Sequence, residues 1–227
     1  MPNNFDEQLI SQYDELMNAW PHADEFRSKG AEVIRNHIHE NPKDRYSVFE
    51  IGSGRGELTK KALEIDDRIT IIAAEISPFM YLDAQDNLKE YRSRCLLMMV
   101  DGLFLADQLS HIDIFMSCWT VHNLRENIRP FLTKAYRLLK PGGLFINLDK
   151  YVPINSQEKE TMMKKHFERL QVLDPGLRKV AERHEREDLD SEYVQTESDT
   201  DFMRKIGFQE VQISNRYCLD AVVTARK

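Results

Sequence analysis

The sequence of 227 residues lacks a long hydrophobic run, because no apolar segment approaches the ~20 residues that a membrane-spanning helix needs. Its start, residues 1–7, has neither the basic nor the apolar segment of a secretory signal peptide. Cysteine is scarce: Cys95, Cys118 and Cys218 lie far apart, without the spacing of metal ligands or of a disulfide framework. These absences predict a cytoplasmic protein with no membrane span and no metal site.

Positive charge is also limited. The chain has 31 Lys and Arg against 38 Asp and Glu, a net charge of −7, and no dense basic cluster. Broad binding to a nucleic-acid backbone depends on such a cluster, so the composition argues against nucleic acid and favours a small-molecule partner. The sequence gives no sign of an oligomeric state. With 41% hydrophobic and 30% charged residues, the chain suits one α/β domain.

Strand and helix patterns alternate through the middle of the chain. Residues 4–40 have helical spacing, interrupted at Pro21, and a break follows at 41–44. Strands are then predicted at 47–51, 69–74, 96–100, 112–117 and 144–148, with helices at 57–65, 78–91, 102–109 and 124–139. Continuous apolar strands separated by helices indicate a parallel sheet that is covered on both faces.

The C-terminal third of the chain is organised differently. A polar, helical stretch at 155–195 precedes a helix at 197–206. Two β-rich runs, 209–214 and 217–225, have only a short connection, which predicts an antiparallel hairpin at the sheet edge. We therefore expect one domain, 1–227, with an N-terminal helical lid at 1–42 and a helical insertion at 152–195.

A glycine turn follows the first predicted strand. The apolar run 48–51 leads into Gly52, Gly54 and Gly56, and a helical pattern begins at Glu57. Glycines let a ligand approach the backbone closely, and the helix behind the turn offers unpaired N–H groups. Taken alone, the pattern fits a simple turn as well as a ligand site.

Acidic residues follow the next two strands. Ligands of open α/β sheets bind at the carboxyl ends of the strands, where Glu75 ends strand two and Asp101 follows strand three. A carboxylate at the first position can accept the ribose hydroxyl hydrogens, and one at the second can accept from an adenine amino group. Either acid could instead cap the helix that follows it.

This arrangement resembles the class I S-adenosylmethionine (SAM)-dependent methyltransferases. Their first motif is similar to E/D-x-G-x-G-x-G, and further similarities lie after each later strand. The matching positions are Glu50, Gly52, Gly54 and Gly56, then Glu75, Asp101, the segments 113–124 and 138–143, and Gly207-Phe208. The resemblance covers 45–151 and 196–227. It implies a Rossmann-like, doubly wound, seven-stranded sheet, mostly parallel with an antiparallel C-terminal hairpin strand, and a lid of N-terminal and inserted helices.

A nicotinamide dehydrogenase is the natural competitor. Its G-x-G-x-x-G fingerprint would require a third glycine at position 57, which is Glu57 here. The acid after strand three and the antiparallel end also favour the methyltransferase.

The resemblance implies transfer of the SAM methyl group to a nucleophilic atom of a small-molecule acceptor, leaving S-adenosylhomocysteine (SAH). Because the sulfonium already activates the methyl group, positioning the acceptor can supply much of the catalysis. The cofactor residues it implies are Tyr13, Glu50, Gly52, Ser53, Gly54, Gly56, Glu75, Ile76, Asp101, Gly102 and Cys118. Cys118 is expected to act through its carbonyl, or simply to be a small buried residue, and Tyr13 could equally belong to the core face of its helix.

The acceptor side is less well marked. His122 is a candidate general base, or else a residue that orients its loop. Trp20, Lys150 and Tyr151 are further candidates for the acceptor pocket. Two alternatives stay open: a SAM-binding partner without catalysis, and carboxy-SAM synthase chemistry, which the segments 149–151 and 196–208 resemble. The arginine that this branch uses has no match by motif.

Overall fold

The computed structural model describes residues 15–16, 19–189 and 195–227. In that part of the chain the helices are α1 (Ala23–Glu40), α2 (Glu57–Leu63), α3 (Pro78–Asn87), α4 (Gly102–Ala106), α5 (Ile128–Leu138), α6 (Ser156–Glu168), α7 (Pro175–Leu189) and α8 (Glu197–Ile206). The strands are β1 (Tyr46–Ile51), β2 (Ile69–Glu75), β3 (Cys95–Met99), β4 (Ile112–Cys118), β5 (Leu139–Lys150), β6 (Gln209–Tyr217) and β7 (Asp220–Arg226).

The seven strands form one sheet in the order β3-β2-β1-β4-β5-β7-β6. Neighbours among β1 to β5 are parallel, while β7 is antiparallel to both β5 and β6. The doubly wound, mostly parallel sheet and the C-terminal hairpin at its edge are therefore confirmed. Because the strand order reverses between β1 and β4, their carboxyl ends frame a crevice, the usual ligand position in such sheets.

Apolar strand residues alternate between the two faces of the sheet. Phe49, Phe115 and Phe145 pack on one face, with the ring centroids of Phe49 and Phe115 5.3 Å apart. Val48 and Ile114 belong to the core on the other face. Both faces are covered by helices, which explains why these strands read as continuous apolar runs.

Several element boundaries differ from the sequence prediction. Strand β5 begins at Leu139 rather than 144, because Leu139 already pairs with Ile112 of β4; the register then shifts, and regular pairing resumes at Leu144. The helix predicted over 124–139 is a 3₁₀ segment, Val121–Asn127, followed by α5, and Arg125 within the 3₁₀ segment has a φ of 51° that breaks helical geometry. Helix α4 ends early, at Ala106.

The N-terminal segment and the insertion pack against each other. Trp20 and Ala23 share a buried cluster with Leu170, Leu177 and Ala181. The insertion is thereby joined to the segment that precedes α1.

No helix among the residues described here is both long and apolar enough to cross a lipid bilayer.

Candidate functional site

A cavity of about 500 Å³ lies at the carboxyl ends of β1, β2 and β4. It brings together nine of the eleven predicted cofactor residues: Glu50, Gly52, Ser53, Gly54, Glu75, Ile76, Asp101, Gly102 and Cys118. Tyr13 lies outside the described residues. Gly56 is described but does not line the cavity within the described part of the chain.

The three glycines of the turn all have positive φ, but for different reasons. At Gly52, with φ +62°, an added Cβ would clash with the Thr120 side chain. At Gly56, with φ +79°, it would lie 2.7 Å from Leu88, so this glycine serves the packing of α2. At Gly54, with φ +56°, a Cβ would meet no heavy atom of the described residues within 4 Å. Of the three, Gly54 is the one that faces open space.

Glu75 ties the glycine turn to the end of β2. Its carboxylate accepts the backbone N–H of Gly54 at 2.7 Å and that of Ser77 at 2.8 Å. Burial raises the pKa of Glu75 above its ordinary value, and these hydrogen bonds oppose the rise. The cap of α3 is Ser77.

Asp101 has two roles, because it lines the cavity and also caps α4. One carboxylate oxygen, Oδ1, accepts the Leu103 N–H at 2.7 Å. The alternative interpretation of Asp101 as a helix cap is thus correct, but it does not remove the residue from the cavity.

The part of the cavity near α1 is charged. Glu50 is 1% exposed and accepts a hydrogen bond from the Thr59 hydroxyl. Burial raises its pKa from 4.5 to about 8, and the Thr59 bond partly offsets that rise. Arg27, from α1, pairs with Glu57 at 3.1 Å and lies 5.2 Å from the ring centroid of Trp119.

Arg27, Glu57 and Trp119 line the cavity although the sequence analysis did not select them. Trp119 lies within the 113–124 segment that the resemblance had matched, next to Cys118. Arg27 is on a helix about twenty residues before the first strand, and no motif marked it.

We call residues 119–123 the cavity loop, since Trp119, Thr120 and Asn123 line the cavity. The Thr120 hydroxyl is 3.0 Å from the carbonyl oxygens of both Gly52 and Cys118, so it joins the loop to the glycine turn. Burial raises the pKa of the Cys118 thiol well above its ordinary value, so this thiol stays protonated near neutral pH.

The four candidates for the acceptor side are not among the described residues that line this cavity. Trp20 packs in the helical cluster with α7, and its ring lies 5.4 Å from the Arg169 guanidinium. Tyr151 is 1% exposed, and its hydroxyl accepts from the Asn147 amide at 2.9 Å.

His122 and Lys150 are held in a buried polar cluster beneath the insertion. His122 Nδ1 lies 2.6 Å from Asp149 Oδ1. Lys150 Nζ is paired with Glu185 at 2.8 Å and with Asp188 at 2.5 Å. Because α7 covers the end of β5, these side chains bond to protein partners, and the general-base role of His122 stays a prediction.

The cavity offers groups that a polar ligand can bind. Ser53 Oγ is buried and has no hydrogen-bond partner among the described residues, so a polar ligand could satisfy it. Gly54 faces open space, and the carboxylates of Glu75 and Asp101 lie at the ends of successive strands. In the described part of the chain, no group of three His, Cys, Asp or Glu side chains is arranged to hold a metal ion.

Comparison with known families matched one segment of the chain. Residues 49–145 match the family model described as "Methyltransferase domain". A comparison of the sequence with curated proteins found no match.

Solved structures match nearly the whole chain in fold. The CurJ carbon methyltransferase superposes with a TM-score of 0.69 at 17% identity, covering 98% of this chain and 61% of its own. Human N-acetylserotonin methyltransferase in complex with SAM gives 0.60 at 15% identity, with coverages of 96% and 57%. PigF with SAH gives 0.56 at 19% identity, with coverages of 90% and 57%.

The chain thus spans about three fifths of the length of these neighbours. At such identities the superpositions establish the fold. Together with the matched segment, they confirm the resemblance that the glycine turn and the strand-end acids indicated.

Proposed function

We propose that the protein transfers the methyl group of SAM to a small-molecule acceptor. The proposal starts from the match of residues 49–145 to the methyltransferase-domain model. The observation that carries this proposal is the cavity in which Gly54, Glu75 and Asp101 meet at the carboxyl edge of a class I fold. SAM supplies an electrophilic methyl group, and the transfer leaves SAH.

The nucleoside end of SAM is assigned to the strand ends. Glu75 would accept hydrogen bonds from the ribose hydroxyls, and Asp101 from the adenine amino group. Ile76, whose side chain is half exposed at the cavity, would pack against the adenine ring. A carboxylate accepts hydrogen bonds from hydroxyl and amino groups, and an apolar side chain packs against a flat aromatic ring.

The methionine end is assigned to the charged part of the cavity. The Arg27 guanidinium, largely buried beside Glu57, would bind the ligand carboxylate. Ser53 offers a hydroxyl that lacks a partner among the described residues, and Glu50 a carboxyl that burial keeps largely protonated below about pH 8. The cavity loop would then lie on the side from which the acceptor approaches.

A small molecule is the acceptor class that we favour. One structural neighbour is a methyltransferase of N-acetylserotonin, itself a small molecule, and the net charge of −7 offers no broad surface for nucleic acid. The prediction for His122 as a base remains part of the proposal. On that account, His122→Ala should lower turnover even at saturating SAM, where a change in SAM affinity does not limit the rate.

The test is to incubate the protein with methyl-labelled SAM and a metabolite extract. We expect a labelled product of low mass, and SAH in an equal amount, because each transfer yields one of each. Gly54→Ala should lower both signals when SAM is limiting, and Gly142→Ala, a glycine outside the described cavity lining, is the matched control. Label in RNA or protein would contradict the acceptor class. SAM binding without any transfer would instead favour a non-catalytic partner.

A further inference from the structure

Two polar contacts tie the cavity loop to the insertion at 152–195. At one end of the loop, the Trp119 indole N–H donates to Asp220 Oδ1 at 3.2 Å, and Asp220 Oδ2 accepts from Arg169 at 2.5 Å. At the other end, His122 Nε2 lies 3.5 Å from Asp188 Oδ2. Because Arg169 and Asp188 both belong to the insertion, the insertion is linked to the loop at both ends, through Asp220 at Trp119 and directly at His122.

The His122 ring is fixed on both sides. Asp149 accepts both the Nδ1–H at 2.6 Å and the His122 backbone N–H at 3.1 Å, and Asp149 is fully buried. On the opposite side, Nε2 lies near Asp188 and 3.0 Å from the side-chain amide of Asn123, which lines the cavity and can present its oxygen to the Nε2–H of the ionised ring. The side chain of His122 is only 7% exposed, so its two carboxylate neighbours are poorly screened by water.

We propose that Asp188 is a positioning residue: it holds the His122 ring, and through the ring it holds Asn123 and the cavity loop against the bound cofactor. Asp188 lies on α7 outside the described cavity lining, so it acts on the ligand through its neighbours, and among these His122 belongs to the cavity loop. The inference rests on the proposed function, because SAM or its product is the ligand that the loop would cover.

The charges around His122 make this positioning dependent on pH. The ring faces Asp149 and Lys150 from β5 and Asp188 and His184 from α7. Burial alone would lower the pKa of His122, but the two carboxylates outweigh burial and the Lys150 ammonium and raise it above 6.5.

The sign of the effect follows from that direction. The attraction between the imidazolium and the carboxylates is fully present below the ordinary histidine pKa of 6.5. It is lost as the pH rises through the raised pKa of His122. Removing the Asp188 charge lowers that pKa and moves the loss to lower pH.

The test compares Asp188→Asn with Glu187→Gln, a neutralisation at the exposed neighbouring position on α7. SAH binding is measured by calorimetry from pH 6 to 9, and the His122 ring is titrated by NMR, its signal assigned from its loss in His122→Gln. We expect Asp188→Asn to weaken SAH binding about 2- to 30-fold and to lower the His122 pKa, with Glu187→Gln close to wild type. Because Glu50 titrates in the same range in every variant, the difference between the two variants isolates His122.

A second measurement needs no variant of Asp188. If the ionised ring favours the bound state, SAH must in turn raise the His122 pKa in the wild type, since linkage is reciprocal. An unchanged His122 pKa at saturating SAH would overturn the proposal, even if Asp188→Asn does not fold. Equal SAH affinity in folded Asp188→Asn and Glu187→Gln would overturn it as well. Absence of SAH binding by the wild type would contradict the proposed function itself, and the positioning role with it.

Discussion

Replacing Gly54 by alanine tests whether this glycine is needed only for its positive φ or also for ligand binding. Gly54 and Gly142 have similar φ values, +56° and +74°, and at both an added Cβ meets no described heavy atom within 4 Å. Alanine in the left-handed region costs about 1–2 kcal/mol, and the stiffer unfolded chain returns about 0.4–1 kcal/mol. Both variants should therefore lose about 1 kcal/mol in the free energy of unfolding, measured with urea.

The two variants should differ in ligand binding. Gly54 lines the cavity, so its new methyl group occupies space that we assign to SAM, whereas Gly142 lies in the turn before the parallel part of β5. Overpacking of this kind costs about 1–3 kcal/mol, which is about 5- to 150-fold in affinity. Calorimetric titration with SAH should show that loss for Gly54→Ala and wild-type affinity for Gly142→Ala.

Two results would refute this reasoning. Equal SAH affinity of the two variants would show that the ligand does not approach Gly54. A much larger loss of stability in Gly54→Ala than in Gly142→Ala would show that the space beside Gly54 is not open.

Three further outcomes follow from the same cavity. Gly52→Ala should lower the free energy of unfolding about 1–3 kcal/mol more than Gly142→Ala, because its Cβ clashes with the cavity loop; equal values in urea would contradict the clash. Glu75→Gln should weaken SAH binding about 10-fold or more, since it removes a charged acceptor. The control is Glu90→Gln at an exposed position, whose SAH affinity in calorimetry should equal that of the wild type. Glu50, whose pKa burial raises from 4.5 to about 8, stabilises the fold most below pH 4.5 and loses that contribution as the pH rises to about 8. We therefore measure the free energy of unfolding at pH 5, 6.5 and 8, and expect it to fall less with rising pH in Glu50→Gln than in the wild type. An equal fall in both proteins would contradict this prediction.

Local patterns predicted the frame of the site well. Apolar runs separated by helical patterns indicated the parallel sheet, and the positions after β1, β2 and β3 indicated the glycine turn, Glu75 and Asp101. These predictions succeed because parallel strands place their carboxyl ends at one edge of the sheet, whatever the details of packing.

The acceptor side illustrates what such reasoning misses. Lys150 ends β5 and Tyr151 follows it, at a position that would face an open crevice in a simple sheet. The insertion instead covers this strand end, so Lys150 pairs with Asp188 and Tyr151 is buried. A spacing rule cannot foresee this, because the covering residues lie more than thirty positions away in the sequence.

The sequence by itself therefore determined that glycines and carboxylates lie together at the carboxyl edge of the sheet. These features depend on local periodicity and turn chemistry. Only the tertiary structure decided which residues complete that cavity. Arg27 reaches it from a helix that precedes the sheet, Gly56 is required by Leu88 rather than by a ligand, and His122 lies between Asp149 and Asp188. Each of these contacts joins distant parts of the chain, so packing and not pattern fixes it.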